Sequence, residues 1–144
     1  MTSNLITWFQ EVGISPQEIL QILASLFVGI LFTQSGLDKI FNWKGEKSFY
    51  TKHFKDSILK GTVPVLMPII TISEVLAGLL SLGGVIAILF MDSTDLAILG
   101  MILACLSIIQ LFFGQRVAKD YSGAATLVPY FLVCLFGLWL YLGA

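Results

Sequence analysis

Charge is what this chain has least of. Its eight Lys and Arg and nine Asp and Glu make up 12% of 144 residues. Soluble domains carry about 25%, so too few charges are present to clothe an ordinary soluble surface. Histidine occurs once and cysteine twice. Cys105 and Cys134 each lie inside an apolar run, with no C-x-x-C and no His/Cys cluster. That pattern supports neither a metal site nor a standard thiol-exchange motif. A net charge of −1 lacks the basic excess that a nucleic-acid partner needs. The first 18 residues have no positive n-region and no small-residue cleavage site, so they are not expected to act as a signal peptide. No internal repeat, low-complexity segment or cofactor motif is evident.

Apolar residues are abundant, at 57% with a mean hydropathy of +0.92. They concentrate in four runs, 19–37, 63–91, 96–115 and 121–144, and Glu74 is the only charged residue inside them. About 20 apolar residues at ~1.5 Å each cross a ~30 Å hydrocarbon layer. The expected fold is an all-α integral membrane protein. It is one transmembrane domain, 1–144, formed by an antiparallel four-transmembrane-helix bundle. The expected spans are about 16–41, 63–91, 94–115 and 121–143.

The lysines and arginines set the expected orientation. Lys39, Lys44, Lys47, Lys52, Lys55 and Lys60 surround the first connection, and Arg116 and Lys119 occupy the third. With four spans these connections share a side, and the opposite side receives none of the eight. The positive-inside rule puts the basic side in the cytoplasm. Both termini are then expected on the outer face of the membrane. The bilayer itself is the first partner, and Lys44, Lys47, Lys52, Lys55, Lys60, Arg116 and Lys119 form a cytoplasmic basic surface that favours anionic lipid.

Local signals refine the elements. Ser15-Pro16-Gln17-Glu18 reads as a capping box with proline at the first helical position. Tyr50, Phe54 and Ile58 recur every four residues among lysines, which predicts an amphipathic surface helix over 44–61, ended by Gly61, between the first and second spans. His53 sits among these lysines and reads as exposed. Asp92-Ser93-Thr94-Asp95 reads as a tight turn that caps the third span. Ser25, Gly29 and Thr33 form a small-residue stripe, as do Ala77 and Ser81, and Ala97, Gly100, Ala104 and Ser107. Such stripes let helix backbones approach closely. Pro68 is expected to bend or loosen the second span.

Glu74 is the residue that needs an explanation. About ten residues into its span, it lies ~15 Å deep, where an unpaired carboxylate costs several kcal/mol, roughly 2.5 or more. Counted from the same side, Asp38 lies ~5 Å in, Gln110 ~8 Å, Gln34 ~10 Å and Tyr130 ~13 Å. Intramembrane polar groups face the bundle interior and pair with one another. One intramembrane polar cluster is therefore expected: Gln34, Asp38, Lys39, Glu74, Gln110 and Tyr130. It serves either as a device fixing which helices adjoin, or as a pocket for a headgroup or a proton. The residues alone leave both open, and catalytic residues are unknown.

Ser35-Gly36-Leu37-Asp38-Lys39, then Glu74 with Gly78-Leu79-Leu80 and Gly83, resemble the DoxX family of small four-helix membrane proteins. Gly114-Gln115-Arg116 and Asp120-Tyr121-Ser122-Gly123-Ala124-Ala125 are similar to its bacterial members. The resemblance covers the chain from about residue 20. It implies a non-catalytic subunit or assembly partner of a larger membrane complex, or a homo-oligomer. Alternatively, it implies a quinone-interacting subunit of thiosulfate:quinone oxidoreductase type, with quinone as the one cofactor.

Overall fold

A computed structural model describes residues 3–143, in six helices with no strand among them. The helices are α1 (Asn4–Glu11), α2 (Pro16–Phe41), α3 (Trp43–His53), α4 (Val63–Met91), α5 (Asp95–Val117) and α6 (Tyr121–Leu142). Four of them, α2, α4, α5 and α6, are long and apolar enough to cross a membrane. α1 buries none of its side chains. The four long helices begin and end within two residues of the expected spans; α3 is shorter than the expected surface helix.

Local chemistry explains where each helix begins and ends. α2 starts with a complete capping box: the Glu18 N–H donates to Ser15 Oγ at 3.1 Å, and the Ser15 N–H donates to Glu18 Oε2 at 2.9 Å. The capping box expected over Asp92–Asp95 is reduced to one long bond, the Asp95 N–H donating to Ser93 Oγ at 3.4 Å. Thr94, the residue before α5, has φ −105° and ψ 0° and makes no side-chain cap hydrogen bond. A capping side chain needs extended backbone to reach the free N–H groups. α3 stops at His53, eight residues short of Gly61. Ser57 Oγ donates to the Phe54 carbonyl and accepts from the Leu59 N–H, and Thr62 Oγ1 donates to the Leu59 carbonyl. These local bonds compete with the helical ladder, so 54–61 runs as turns and Ile58 is 79% exposed. α4 continues through Pro68 as one helix, although this sixth residue has no N–H to donate to the Pro64 carbonyl.

Small residues set the packing. Gly29 meets Leu82, Thr33 meets Gly78, and Gly36 meets Val75. Later positions on α2 therefore meet earlier ones on α4. The same reversal holds between α4 and α5, where Gly84 meets Ala97 and Ser81 meets Gly100. Gly137 of α6 lies against Met101 of α5 and Ala24 of α2, which closes the ring of helices. The core inside it contains Val28, Phe32, Met101, Ile108, Cys105 and Cys134, and both cysteines are free. Gly83 and Gly84, adjacent in sequence, differ in role: only Gly84 touches a neighbouring backbone.

Candidate functional site

The site is built on two helices. Side chains on an α-helix lean toward its N-terminus. Because α2 and α4 run in opposite senses where they touch, Lys39 leans up α2 into the bundle and Glu74 leans down α4 toward it. The two meet with Nζ 2.8 Å from Oε2. Ser35, one turn before Lys39, donates its Oγ hydrogen to Glu74 Oε1 at 2.9 Å and accepts from Lys39 Nζ at 3.2 Å. Glu74 is fully buried, and Lys39 is buried too despite lying two residues from its helix end. Oε2 is at ion-pair distance from the ammonium but off its hydrogen-bonding direction, and makes no hydrogen bond among the described residues. The arrangement is an ion pair with a hydroxyl wedged between its members.

This differs from the six-residue cluster expected from depth alone. Lys39 and Glu74 meet, but Gln34, Asp38, Gln110 and Tyr130 are exposed and make no hydrogen bond to Glu74. Depth was countable along each helix; the direction each residue faces was set by packing. Gln34 and Asp38 sit on α2 beside the interior positions Ser35 and Lys39, and so turn away from α4. Ser35 completes the site. Its signal was its place four residues before Lys39.

A second polar lock, at the opposite end, also escaped the depth argument. Gln17 and Gln21 both donate Nε2 hydrogens to the Leu140 carbonyl, at 2.7 and 2.9 Å. Tyr141 donates to the Gln21 carbonyl at 3.2 Å, and its hydroxyl lies 2.7 Å from Ser25 Oγ. The last carbonyls of a helix have no partner within it, and α2 supplies partners for those of α6. Ser25 therefore serves α6, while Gly29 and Thr33 of the same stripe serve α4.

His53 is not exposed as expected. Its Nε2–H donates to Gln115 Oε1 at 2.7 Å, and Nε2 lies 3.7 Å from Asp120 Oδ2. The ring stacks on Phe49, centroids 5.4 Å apart, and meets Phe54 edge-on. Asp120 also caps α6, accepting the Gly123 N–H at 2.9 Å. His53 thus ties α3 to the corner joining α5 and α6. His53→Ala should loosen α3. Loss of the hydrogen bond and the ring contact, each worth about 1 kcal/mol, should speed tryptic cleavage after Lys52 or Lys55 by about thirtyfold. Unchanged cleavage would show that α3 is held by other contacts.

Beside the ion pair lies a groove of about 260 Å³ between α3, the start of α4 and the end of α5. Tyr50, Gln110 and Gln115 are the polar residues on an otherwise apolar wall, and Glu74 is not part of it. Burial pushes the Tyr50 phenol above its ordinary value; the Lys39 cation opposes this and Glu46 and Glu74 add to it. A separate void of about 230 Å³ between α5 and α6 is lined by apolar residues such as Ile108, Phe112 and Phe131. Lys44, Lys47, Lys52, Lys55, Lys60, Arg116 and Lys119 are all exposed, and the Arg116 guanidinium sits 4.5 Å over the Tyr121 ring. Among the described residues no group of His, Cys, Asp and Glu is arranged to hold a metal ion. Comparison of the chain with protein-family models, curated proteins and solved structures finds no match.

Proposed function

We infer that the chain is a DoxX-like inner-membrane protein, an antiparallel four-transmembrane bundle with both termini outside. It acts as a non-catalytic subunit or assembly partner of a larger membrane complex, or of further copies of itself. The observation that carries this reading is the closed Ser35–Lys39–Glu74 contact. The one buried acid among the described residues is already occupied by a cation and a hydroxyl, and its role is to hold α2 on α4. The open surface is on α6, where 17% of the apolar span is buried against 33% to 39% for the other three. Val128, Leu132, Leu135, Phe136, Trp139 and Leu142 are among its exposed apolar side chains.

A photo-crosslinking residue at Leu132, with purification in mild detergent, tests this. A stoichiometric protein or a second copy should be captured from Leu132 and not from Ile86, which is exposed on α4. A chain that purifies as an uncrosslinked monomer would remove the subunit reading.

The second reading is a quinone-interacting subunit. It is favoured by the apolar groove with Tyr50, Gln110 and Gln115 on its wall. Quinone retained by the isolated protein would support it.

A further inference from the structure

We propose that the groove between α3, α4 and α5 binds one anionic phospholipid, with an acyl chain in the groove and the phosphate against Lys55 and Lys60. The proposal rests on the membrane topology inferred above. Phe54, Leu59, Met67 and Ile70 form apolar walls around about 260 Å³. Leu66 and Ile69, also on its wall, are exposed, so the groove opens sideways, toward the hydrocarbon of the surrounding leaflet. Along α4 it extends from Val63 to Ile70, ~10 Å from the start of the helix. That is the depth of the upper part of an acyl chain, below the headgroups.

The rim supplies the choice of headgroup. Phe54 and Leu59 are each followed in sequence by an exposed lysine, Lys55 and Lys60. Gln115, on the wall, is followed by Arg116, which its contact with Tyr121 holds at the same end. The acids nearby do not cancel these cations. Asp120 is engaged by the Gly123 N–H and faces His53, Glu46 is half-buried on α3, and the exposed Asp38 and Asp56 are outnumbered by seven exposed Lys and Arg. Basic pockets between membrane helices at the cytoplasmic surface recognise anionic lipid headgroups. Here exposed cations follow, in sequence, three wall residues of an apolar slot of acyl-chain depth, so charge and shape select the same molecule.

Native mass spectrometry of the full chain tests this, after incubation in mild detergent with equal amounts of phosphatidylglycerol and phosphatidylcholine. One phosphatidylglycerol should be retained in preference to phosphatidylcholine. Lys55→Gln with Lys60→Gln should weaken that retention roughly twentyfold, each lysine near an anionic surface accounting for about fivefold. Lys44→Gln with Lys47→Gln, in the first half of α3 and outside the 54–61 turns, should leave it unchanged. Ile70→Trp, which fills the slot and keeps the charges, should abolish it. Equal retention of the two lipids, equal losses in the two lysine pairs, retention that survives Ile70→Trp, or displacement by an isoprenoid quinone would each overturn the proposal. Should Ile70→Trp fail to fold, the two lysine pairs decide between these outcomes. A chain recovered in the soluble fraction would overturn the topology; a membrane-integral chain that fails the lipid test overturns the lipid site alone.

Discussion

Glu74→Gln should destabilise the bundle by about 3–5 kcal/mol, the cost of removing one member of a buried ion pair and leaving the other charge uncompensated. The substitution keeps the size of the side chain and an acceptor for Ser35, so the loss reports the charge. Lys39 is buried and cannot extend to water without unpacking the end of α2. Lys39→Met should cost a similar amount, for the converse reason. Lys39→Met with Glu74→Leu should recover most of the loss, because a buried pair replaced by apolar groups of similar volume is often neutral or better. Thermal or denaturant unfolding of the four forms in one detergent measures this as a double-mutant cycle. A loss below about 1 kcal/mol for Glu74→Gln would mean that the pair is hydrated and behaves as a surface one. Full recovery in the double variant with normal partner capture would place the pair's role in assembly of the fold. Recovery of stability without capture would instead assign the pair a role in binding.

Gly84→Ala and Gly83→Ala should move stability in opposite directions, by about 2–4 kcal/mol between them. A Cβ at Gly84 would lie 2.6 Å from the Cα of Ala97 and 2.7 Å from its nitrogen. Those are backbone atoms of α5, so no rotamer change relieves the contact and the helices must separate. Overpacking of that kind costs about 1–3 kcal/mol. A Cβ at Gly83 would meet nothing closer than Leu96 Cδ1 at 3.9 Å, and alanine is favoured over glycine inside a helix by up to about 1 kcal/mol. Unfolding midpoints of the two variants against the parent settle the comparison. Two equal losses would indicate a soft point in α4 at the glycine pair and not a close helix crossing.

The helix ends were readable because their causes are local. Ser15, Pro16 and Glu18 lie within four residues, and the capping box they form needs nothing from elsewhere. The Asp92–Asp95 motif forms no such box, because Thr94 stands in helical backbone and only Ser93 Oγ accepts there, 3.4 Å from the Asp95 nitrogen. α3 was readable as a helix on a surface but not in length, since Ser57 and Thr62 redirect the backbone through bonds that a periodicity argument does not contain. His53 shows a larger gap. Its partners Gln115 and Asp120 are more than sixty residues away, and nothing beside it in the chain points to them.

From the residues alone came the number of apolar helices, their lengths, the small-residue stripes and the depth of each polar group, because length, size and rise per residue belong to one helix at a time. Which way Gln34, Lys39, Gln110 and Gln21 face was decided by the tertiary structure. A helix that is apolar on all sides carries no amphipathic stripe to declare its inner face. Rotation about each axis is therefore set where Gly78 accepts Thr33 and Gly84 accepts Ala97. Those contacts bring Lys39 to Glu74 and leave Gln34 and Gln110 outside, a choice made by close packing between helices and invisible to any one of them.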